Sequence, residues 1–360
     1  AEATARSAER STPAPMSTKS PSPMSPQQQL ADLEQVRELG RGGFGVVWLV
    51  RRKSDRRLLA RKTIPLPPLA SRDEKAAAER RQALREVEIL RTLTSDHLVR
   101  CVDAVLAPPS AGRAQSELHI LMEYCDAGDM AGHLKKLDKR RGLAEAEVWY
   151  FAASLLLGLR DLHVRRVLHR DLKPANVFLK RRAGTRGSVK SVKDLQVLLG
   201  DFGVARVVTD SQPMASTMVG TPHYIAPEIF EGEAYDAKAD IYSFGVCVYE
   251  LMHLSPPHAN AKHVAAIVRR VLRLGDGSEE EAVKWDPRFS AELRSFAEAC
   301  MAKSGAERPT AEELLGRIPI QYRLEAPPSS TVKRPFSSSQ RPLSSSQQPQ
   351  TRTRPAFRPP

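Results

Sequence analysis

The sequence predicts an α+β fold in which a strand-rich N-terminal part precedes a larger, mainly helical part. Between residues 33 and 125, apolar and β-branched runs alternate with turn residues, which is typical of antiparallel strands. After residue 144, apolar residues recur at helical spacing, most clearly over residues 145–163 and 241–252. With 360 residues and 41% hydrophobic content, the chain could hold two domains or one two-part domain with tails.

Cysteine usage and hydropathy narrow the class of protein. The four cysteines are far apart and form no C-x-x-C pair, which disfavours a zinc site and a disulfide framework and favours a reducing compartment. The longest apolar stretch is well short of the roughly 20 residues that cross a bilayer, and no signal peptide opens the chain. We therefore expect a soluble protein without membrane contact, and its start at Ala1 suggests a fragment or a processed form.

The net charge of +13 is concentrated in two places. Residues 326–360 hold six basic and no acidic residues, and residues 180–193 hold six more without an acid. This distribution is typical of solvated charge or of contact with an acidic partner, so nucleic-acid binding is disfavoured. We interpret residues 180–193 as a surface insertion and assign no role to it.

Both ends of the chain are predicted to be disordered. Residues 1–30 are rich in Ser, Pro and Gln and contain four Ser/Thr-Pro pairs, which suit either a linker or the targets of a proline-directed kinase. Residues 325–360 contain two copies of a Pro- and Ser-rich heptad over 334–347. Two copies are too few for a solenoid, so this tail is expected to be phosphorylated or to bind a protein partner.

A glycine-rich turn joins the first two predicted strands. Residues 40–45 read GRGGFG, and Gly40, Gly42 and Gly45 leave room for backbone N–H groups to approach phosphates. In dinucleotide-binding folds the third glycine opens a helix, whereas here it opens another strand. The pattern therefore favours a β-hairpin that covers a nucleotide.

Residues 169–176, HRDLKPAN, suit phosphoryl transfer. Asp171 could accept or orient the proton of an attacking hydroxyl, Lys173 could neutralise charge on the transferred group, and Asn176 offers oxygen to Mg²⁺. The DFG sequence at 201–203 adds Asp201 as a second magnesium ligand.

Together these motifs resemble the protein kinase family over residues 33 to about 320. The resemblance implies a two-lobed fold, with a sheet-rich N-lobe that carries one regulatory helix (31–124) and a mainly helical C-lobe (125–324), flanked by tails (1–30 and 325–360). It also implies ATP and Mg²⁺ as cofactors and proteins with Ser/Thr acceptors as substrates.

The resemblance assigns the catalytic cation and its partner. Residues 59–62, LARK, match the V-A-I-K element, so Lys62 is expected to contact the α- and β-phosphates. In the helix predicted over residues 71–93, Glu86 shares a face with Leu90, whereas Glu88 is rotated by about 200° and faces solvent. We expect Glu86 to form the ion pair with Lys62.

The same resemblance implies a nucleotide pocket with contributions from both lobes. Its expected members are Gly40, Gly42, Gly45, Val47, Ala60, Lys62, Met122, Glu123, Cys125, Asp129 and Phe178. Glu123 to Cys125 form the hinge that pairs with the adenine edge, and Asp129 is expected to reach the ribose.

Three further expectations concern regulation and stability. Thr217, in the loop that ends at residues 226–228 (APE), is the expected activating phosphorylation site, and its phosphate is expected to pair with Arg170. Asp240, which is predicted to open a helix, is expected to brace the catalytic loop. Arg308 is the expected partner of Glu228.

Lys173 and the phrases MEYCDAGD, PANVFL and VGTPHY make the chain similar to NIMA-related serine/threonine kinases. Departures are Asp126-Ala127 in place of Glu-Gly, Tyr242 in place of Trp, and the basic segment 180–193. The resemblance implies cell-cycle, cytoskeletal or flagellar regulation and a cytoplasmic location, with the cytoskeleton, basal body or nucleus as alternatives.

Three other functions stay open at this point: another serine/threonine kinase family, a pseudokinase scaffold, and an interaction protein that acts through its tail. The scaffold is disfavoured because Lys62, Asp171, Asn176 and Asp201 are all retained.

Overall fold

The computed structural model describes residues 25–42, 45–67, 74–109, 115–185, 187–201, 222–272 and 283–323. Glu86 belongs to these ranges only through its backbone, because its side chain is not described. Thr217 and the tail repeat 334–347 lie outside them.

A short helix, α1 (Pro26–Ala31), precedes the first strand. Its formation corrects the prediction that disorder extends to residue 30. The Ser25 side chain accepts from the Gln28 amide while the Gln28 side chain accepts from the Ser25 amide, and proline occupies the first helical turn. This reciprocal capping satisfies amide groups that a short helix would otherwise leave unpaired.

Five antiparallel strands form the N-lobe sheet, in the order β1-β2-β3-β5-β4. They are β1 (Leu33–Gly42), β2 (Gly45–Arg52), β3 (Leu58–Leu66), β4 (Cys101–Ala107) and β5 (Ser116–Glu123). Helix α2 (Glu74–Thr92) lies within the predicted span 71–93, whose first three residues are outside the described ranges. It buries Ala83 and Val87 against Ile64 and Leu118 of the sheet. The predicted N-lobe, with its single long helix, is confirmed.

The C-lobe is mainly helical, as predicted. Its helices are α3 (Met130–Lys136), α4 (Glu145–His163), α5 (Pro227–Phe230), α6 (Ala237–His253), α7 (Val264–Val271), α8 (Ala291–Cys300) and α9 (Ala311–Arg317). Helices α4 and α6 form the centre of the core, where Leu155, Leu159, Phe244 and Val248 are fully buried. None of the helices in the described ranges combines the length and apolar content that a membrane span requires.

Helix α6 starts earlier than the sequence indicates. The prediction that Asp240 opens this helix is wrong, because the Asp236 carboxylate accepts from the amides of Lys238 and Ala239 and caps the helix one turn earlier. Asp240 therefore lies inside the first turn, where its carboxylate is completely buried.

A two-stranded ribbon, β6 (Val177–Arg181) and β7 (Leu195–Leu199), follows the predicted catalytic loop. The basic segment 180–193 does not start as an insertion, since Lys180 and Arg181 are the last residues of β6. In the described remainder of the segment, which excludes Arg186, the amides of Lys190 and Ser191 donate to the Asp194 carboxylate.

The predicted pair between Arg308 and Glu228 is present and bidentate, with both N–O distances at 2.7 Å. Arg308 is 1% exposed and also donates to the carbonyl oxygens of Ala302, Lys238 and Lys303. A buried guanidinium that makes this many bonds anchors helix α5, which carries Glu228, to the rest of the C-lobe.

We expect Glu228→Ala to lower the free energy of unfolding by about 3–5 kcal/mol, because it leaves the Arg308 charge buried without its counterion. Glu34→Ala is the matched control: it breaks the exposed pair with Arg51 and should cost less than about 1 kcal/mol. Urea unfolding of both variants measures the difference. Equal losses would show that the Arg308 pair does not stabilise the C-lobe.

Candidate active site

The predicted catalytic loop, residues 169–176, is bound by one buried carboxylate. Asp240 accepts hydrogen bonds from the backbone amides of His169 (2.8 Å) and Arg170 (2.9 Å). It also accepts from the His163 ring (2.8 Å) and the Tyr235 hydroxyl (2.6 Å). Burial acts to raise the Asp240 pKa, but the bond from His163, the neighbouring His169 and the other donors hold that pKa below its usual value.

These bonds stabilise an unusual backbone conformation. Arg170 has a φ of 65° and Asp201 a φ of 56°, in the left-handed region that side chains other than glycine disfavour. A residue in this conformation costs of order 1–3 kcal/mol unless its surroundings fix it. At Arg170 the bond from its amide to Asp240 supplies part of that restraint.

Asp171, Lys173 and Asn176 form one contact group in the loop. The Lys173 ammonium lies 3.1 Å and 2.9 Å from the two Asp171 carboxylate oxygens. The Asn176 amide nitrogen donates to the Asp171 carboxylate (2.9 Å) and to its backbone oxygen (2.7 Å). The loop therefore holds a carboxylate whose position and negative charge are both set by neighbouring side chains.

Lys62 reaches across from strand β3 to Asp201. Its ammonium lies 2.5 Å from an Asp201 carboxylate oxygen, and its side chain is almost fully buried. The ion pair predicted between Lys62 and Glu86 stays a prediction, because the Glu86 side chain lies outside the described residues. Glu88 is exposed on α2, as the helical geometry predicts.

A cavity of about 540 Å³ lies between the sheet and the C-lobe. Its volume is within the range of small-molecule sites. Ten of the eleven predicted nucleotide-binding residues line it: Gly40, Gly45, Val47, Ala60, Lys62, Met122, Glu123, Cys125, Asp129 and Phe178. The eleventh, Gly42, ends strand β1.

The sequence analysis missed several other lining residues. They are Arg37, Leu39, Arg41, Val99, Gly128 and Ala175. Arg37, Leu39 and Arg41 have the spacing of one strand face, but a register shift between Glu38 and Gly40 interrupts that alternation in β1. Val99 and Ala175 offer no such signal, because only the fold brings them to the cavity.

Gly45 shows why the roof of the cavity needs glycine. Its φ is 119°, and a Cβ atom there would lie 2.0 Å from the carbonyl oxygen of Thr63 on the paired strand. Any side chain would therefore displace the hairpin that covers the cavity.

The hinge residues divide their polar groups between the fold and the cavity. Asp129 caps helix α3 with one carboxylate oxygen, 2.7 Å from the Gly132 amide, so its other oxygen is the one that could reach a ribose. The Glu123 carboxylate contacts Lys180 and the Arg100 amide. Burial raises the pKa of the Cys125 thiol to about 12, so this side chain is neutral at physiological pH.

The predicted magnesium ligands suit an ion that also binds phosphate. Asn176 uses its amide nitrogen on Asp171, which leaves the amide oxygen for a cation. The Asp201 side chain is 31% exposed and lines the cavity. Within the described ranges, no cluster of three or more His, Cys, Asp or Glu residues could hold a metal. Mg²⁺ would therefore require oxygens from a bound phosphate in addition to these two residues.

Comparison with known proteins gives matches over most of the chain. The family model of the protein kinase domain matches residues 33–317. A probable serine/threonine-protein kinase nek2 of Dictyostelium discoideum is 32% identical over 294 residues, which cover 80% of this chain and 62% of the relative. Human serine/threonine-protein kinase Nek2 is 33% identical over 292 residues, covering 79% and 58%. The corresponding match to mouse serine/threonine-protein kinase Nek4 is 32% over 303 residues, covering 83% and 34%. The chain thus spans about three fifths or less of the length of these curated relatives.

We expect Asp240→Asn to lower the free energy of unfolding at pH 7 by about 2–4 kcal/mol, since an amide cannot accept from all four donors. Tyr235→Phe removes one donor and should cost only about 1 kcal/mol. Urea unfolding at pH 7 measures both losses.

The contribution of Asp240 to the free energy of unfolding should depend on pH. Because the Asp240 pKa is lower in the folded state, its carboxylate contributes stability above the unfolded-state pKa of about 3.9 and loses that contribution as the pH falls through the lowered value. The difference in the free energy of unfolding between wild type and Asp240→Asn should therefore become smaller below about pH 4. A difference that stays constant down to pH 3 would contradict an ionised Asp240.

Proposed function

Because the chain belongs to the protein kinase family, and within it to the NIMA-related serine/threonine kinases, we propose that it transfers the γ-phosphoryl group of Mg-ATP to serine and threonine hydroxyls of proteins. The observation that carries the proposal is the contact group of Asp171, Lys173 and Asn176. The Asn176 carbonyl oxygen accepts from the Gly200 amide at 3.0 Å, which ties this group to the residue before Asp201.

In this reaction the bound Mg-ATP supplies the phosphoryl group and part of the positive charge that neutralises it. Asp171 orients the substrate hydroxyl and accepts its proton. Lys173 neutralises negative charge beside Asp171, and Asn176 fixes the carboxylate through its amide nitrogen. Lys62 holds a positive charge beside Asp201 at the cavity wall, where phosphate oxygens would lie.

The cavity supports ATP as the phosphoryl donor. Its walls are formed by the glycine-bearing hairpin above, Phe178 below and the hinge behind, and Lys62 and Asp201 supply charge at one side. An adenine ring and a charged triphosphate need this combination of apolar and polar walls. Mg²⁺ would bind between Asn176, Asp201 and the phosphate oxygens.

The pseudokinase alternative is less well supported by the contacts. A scaffold that only binds partners gains nothing from a Lys173 ammonium on the Asp171 carboxylate or from an Asn176 amide on the same oxygen. For the cellular role we propose regulation of the cell cycle, the cytoskeleton or flagella, in the cytoplasm or at the cytoskeleton, basal body or nucleus. The tail from residue 325 is proposed to bind a protein partner; removing it and following activity and location separately tests that role.

We expect Asp201→Ala to reduce phosphoryl transfer at least ~100-fold, since it removes the carboxylate proposed to bind Mg²⁺ at the cavity wall. Because the substitution also removes a counterion of the buried Lys62, urea unfolding checks that the variant stays folded. Lys62→Met should behave similarly. Glu88→Ala is the control, because Glu88 is exposed on the regulatory helix and should be nearly silent. Transfer from γ-labelled ATP to a protein substrate measures all three.

Activity above a few per cent in Asp201→Ala would contradict the proposal. A severe loss in Glu88→Ala would instead mean that Glu88, rather than Glu86, pairs with Lys62.

Thr217 is proposed as the activating phosphorylation site, and we propose that the enzyme itself transfers the phosphate to it. The proposal depends on the sequence and on Arg170, which immediately precedes Asp171 and whose backbone is fixed by Asp240. A phosphate with charge near −2 could pair bidentately with this guanidinium and order the loop against the catalytic segment.

Mass spectrometry after incubation with Mg-ATP should therefore find phosphate on Thr217 in the wild type and not in Asp171→Asn. Thr217→Ala should lower activity several-fold, whereas Ser216→Ala, one residue away, should not. A wild-type protein that carries no phosphate on Thr217, or a fully active Thr217→Ala, would refute the proposal.

A further inference from the structure

The hinge and the residue that follows it carry two acidic side chains that contact cations of strand β6. The first is Glu123, at the end of β5. One of its carboxylate oxygens lies 2.5 Å from the Lys180 ammonium, and the other accepts from the Arg100 amide at 2.9 Å. The Glu123 side chain is only 13% exposed, so this pair is partly shielded from water.

The second acidic side chain is Asp126, one of the departures from the NIMA-related pattern. Its carboxylate accepts from the Arg181 amide (2.9 Å) with one oxygen and from the Arg181 guanidinium (2.7 Å) with the other. Burial acts to raise the Asp126 pKa, but these two bonds outweigh it and keep that pKa below its usual value. Asp126 is therefore charged and fixed to β6 by two atoms.

Backbone bonds continue the same contact. The Ala127 amide donates to the Leu179 carbonyl (3.0 Å), and the Leu179 amide donates to the Gly128 carbonyl (2.8 Å). The segment after the hinge thus runs along β6, the strand whose Phe178 lines the cavity. One short strand therefore holds both a wall of the cavity and the two cations that grip the hinge.

The two cations are the first residues of the basic segment 180–193. Further along this segment, Lys190 and Lys193 are exposed and form no ion pair within the described part of the chain. Of the six basic residues of this segment, two therefore contact the hinge region and two face solvent. Arg182 instead donates to the Leu195 carbonyl and the Tyr150 hydroxyl, and Arg186 lies outside the described residues.

We propose that Lys180 and Arg181 are positioning residues for the nucleotide: they hold Glu123 and Asp126 so that the intervening hinge backbone keeps one geometry toward the adenine. This inference rests on the proposed function, because it assumes that the cavity binds ATP. A hinge fixed before binding loses less conformational entropy when the base docks, so the affinity for the base is higher. Neither cation is among the residues that line the cavity.

The test compares two double variants that remove the same charge. Lys180→Met/Arg181→Met removes the cation from each of the two carboxylates and leaves only their bonds to the Arg100 and Arg181 amides. Lys190→Met/Lys193→Met removes two positive charges from the same segment without touching the hinge. Affinity for Mg-ADP and for adenosine is measured by calorimetry, and KM for ATP and kcat by phosphoryl transfer. Adenosine is included because it carries no charge and reports on the hinge alone.

We expect the Lys180/Arg181 variant to bind both Mg-ADP and adenosine about three- to tenfold more weakly, the range for partly exposed ion pairs. KM for ATP should rise by the same factor with kcat unchanged. The Lys190/Lys193 variant should match the wild type. Lys180→Arg/Arg181→Lys, which keeps both charges, should restore most of the affinity.

The outcomes distinguish a failure of the proposed function from a failure of the inference about Lys180 and Arg181. If the wild type binds neither ligand, the proposed function fails and the inference falls with it. If the wild type binds and the Lys180/Arg181 variant binds equally well, the inference alone is overturned. It is also overturned if only Mg-ADP weakens, because the lost charges would then act on the phosphates at long range, or if kcat falls while KM stays constant.

Discussion

The hydrogen bonds from the catalytic-loop amides to the buried Asp240 carboxylate are the constraint on which the rest of this active site depends. Asp240 is fixed by helix α6, which packs against α4 in the centre of the C-lobe. Because it accepts from the amides of His169 and Arg170, the packing of the largest core determines where the loop begins. The carboxylate of Asp171 then takes its position from Lys173 and Asn176, within the same loop.

Two residues of the site have backbone conformations that side chains disfavour. Arg170, which precedes Asp171, and Asp201 both have positive φ values. Such strain is tolerated where surrounding bonds fix the backbone, as the bond from the Arg170 amide to Asp240 does in part. Asp201 also contacts Lys62 of the N-lobe sheet, so the ion pair joins the two lobes at the cavity. On the opposite side the hinge is held to β6 through Glu123 and Asp126, so the cavity has a restraint at each end.

Much of this arrangement was predictable from the sequence, because motifs and periodicity encode local geometry. The apolar spacing over 145–163 predicted the bounds of α4. The glycine spacing predicted the hairpin of β1 and β2, and HRDLKPAN predicted the loop that carries Asp171, Lys173 and Asn176. The start of α6 was predicted wrongly because a side-chain cap at Asp236, and not the apolar period, begins that helix. Helix α1 was missed because six polar-rich residues show no period, although Ser25 and Gln28 cap it reciprocally. The Lys62–Asp201 pair and the grip of Lys180 and Arg181 on the hinge were not predictable, since each joins residues far apart in the chain whose proximity only the folded structure shows.

Amide hydrogen exchange of His169 and Arg170 tests the central claim most directly. If Asp240 holds the loop as described, both amides should exchange no faster than the buried core of α6, for example the Phe244 amide, because release requires the C-lobe to open. Exchange of His169 and Arg170 within minutes, while α6 stays protected, would show that the loop opens independently of Asp240 and would contradict the account.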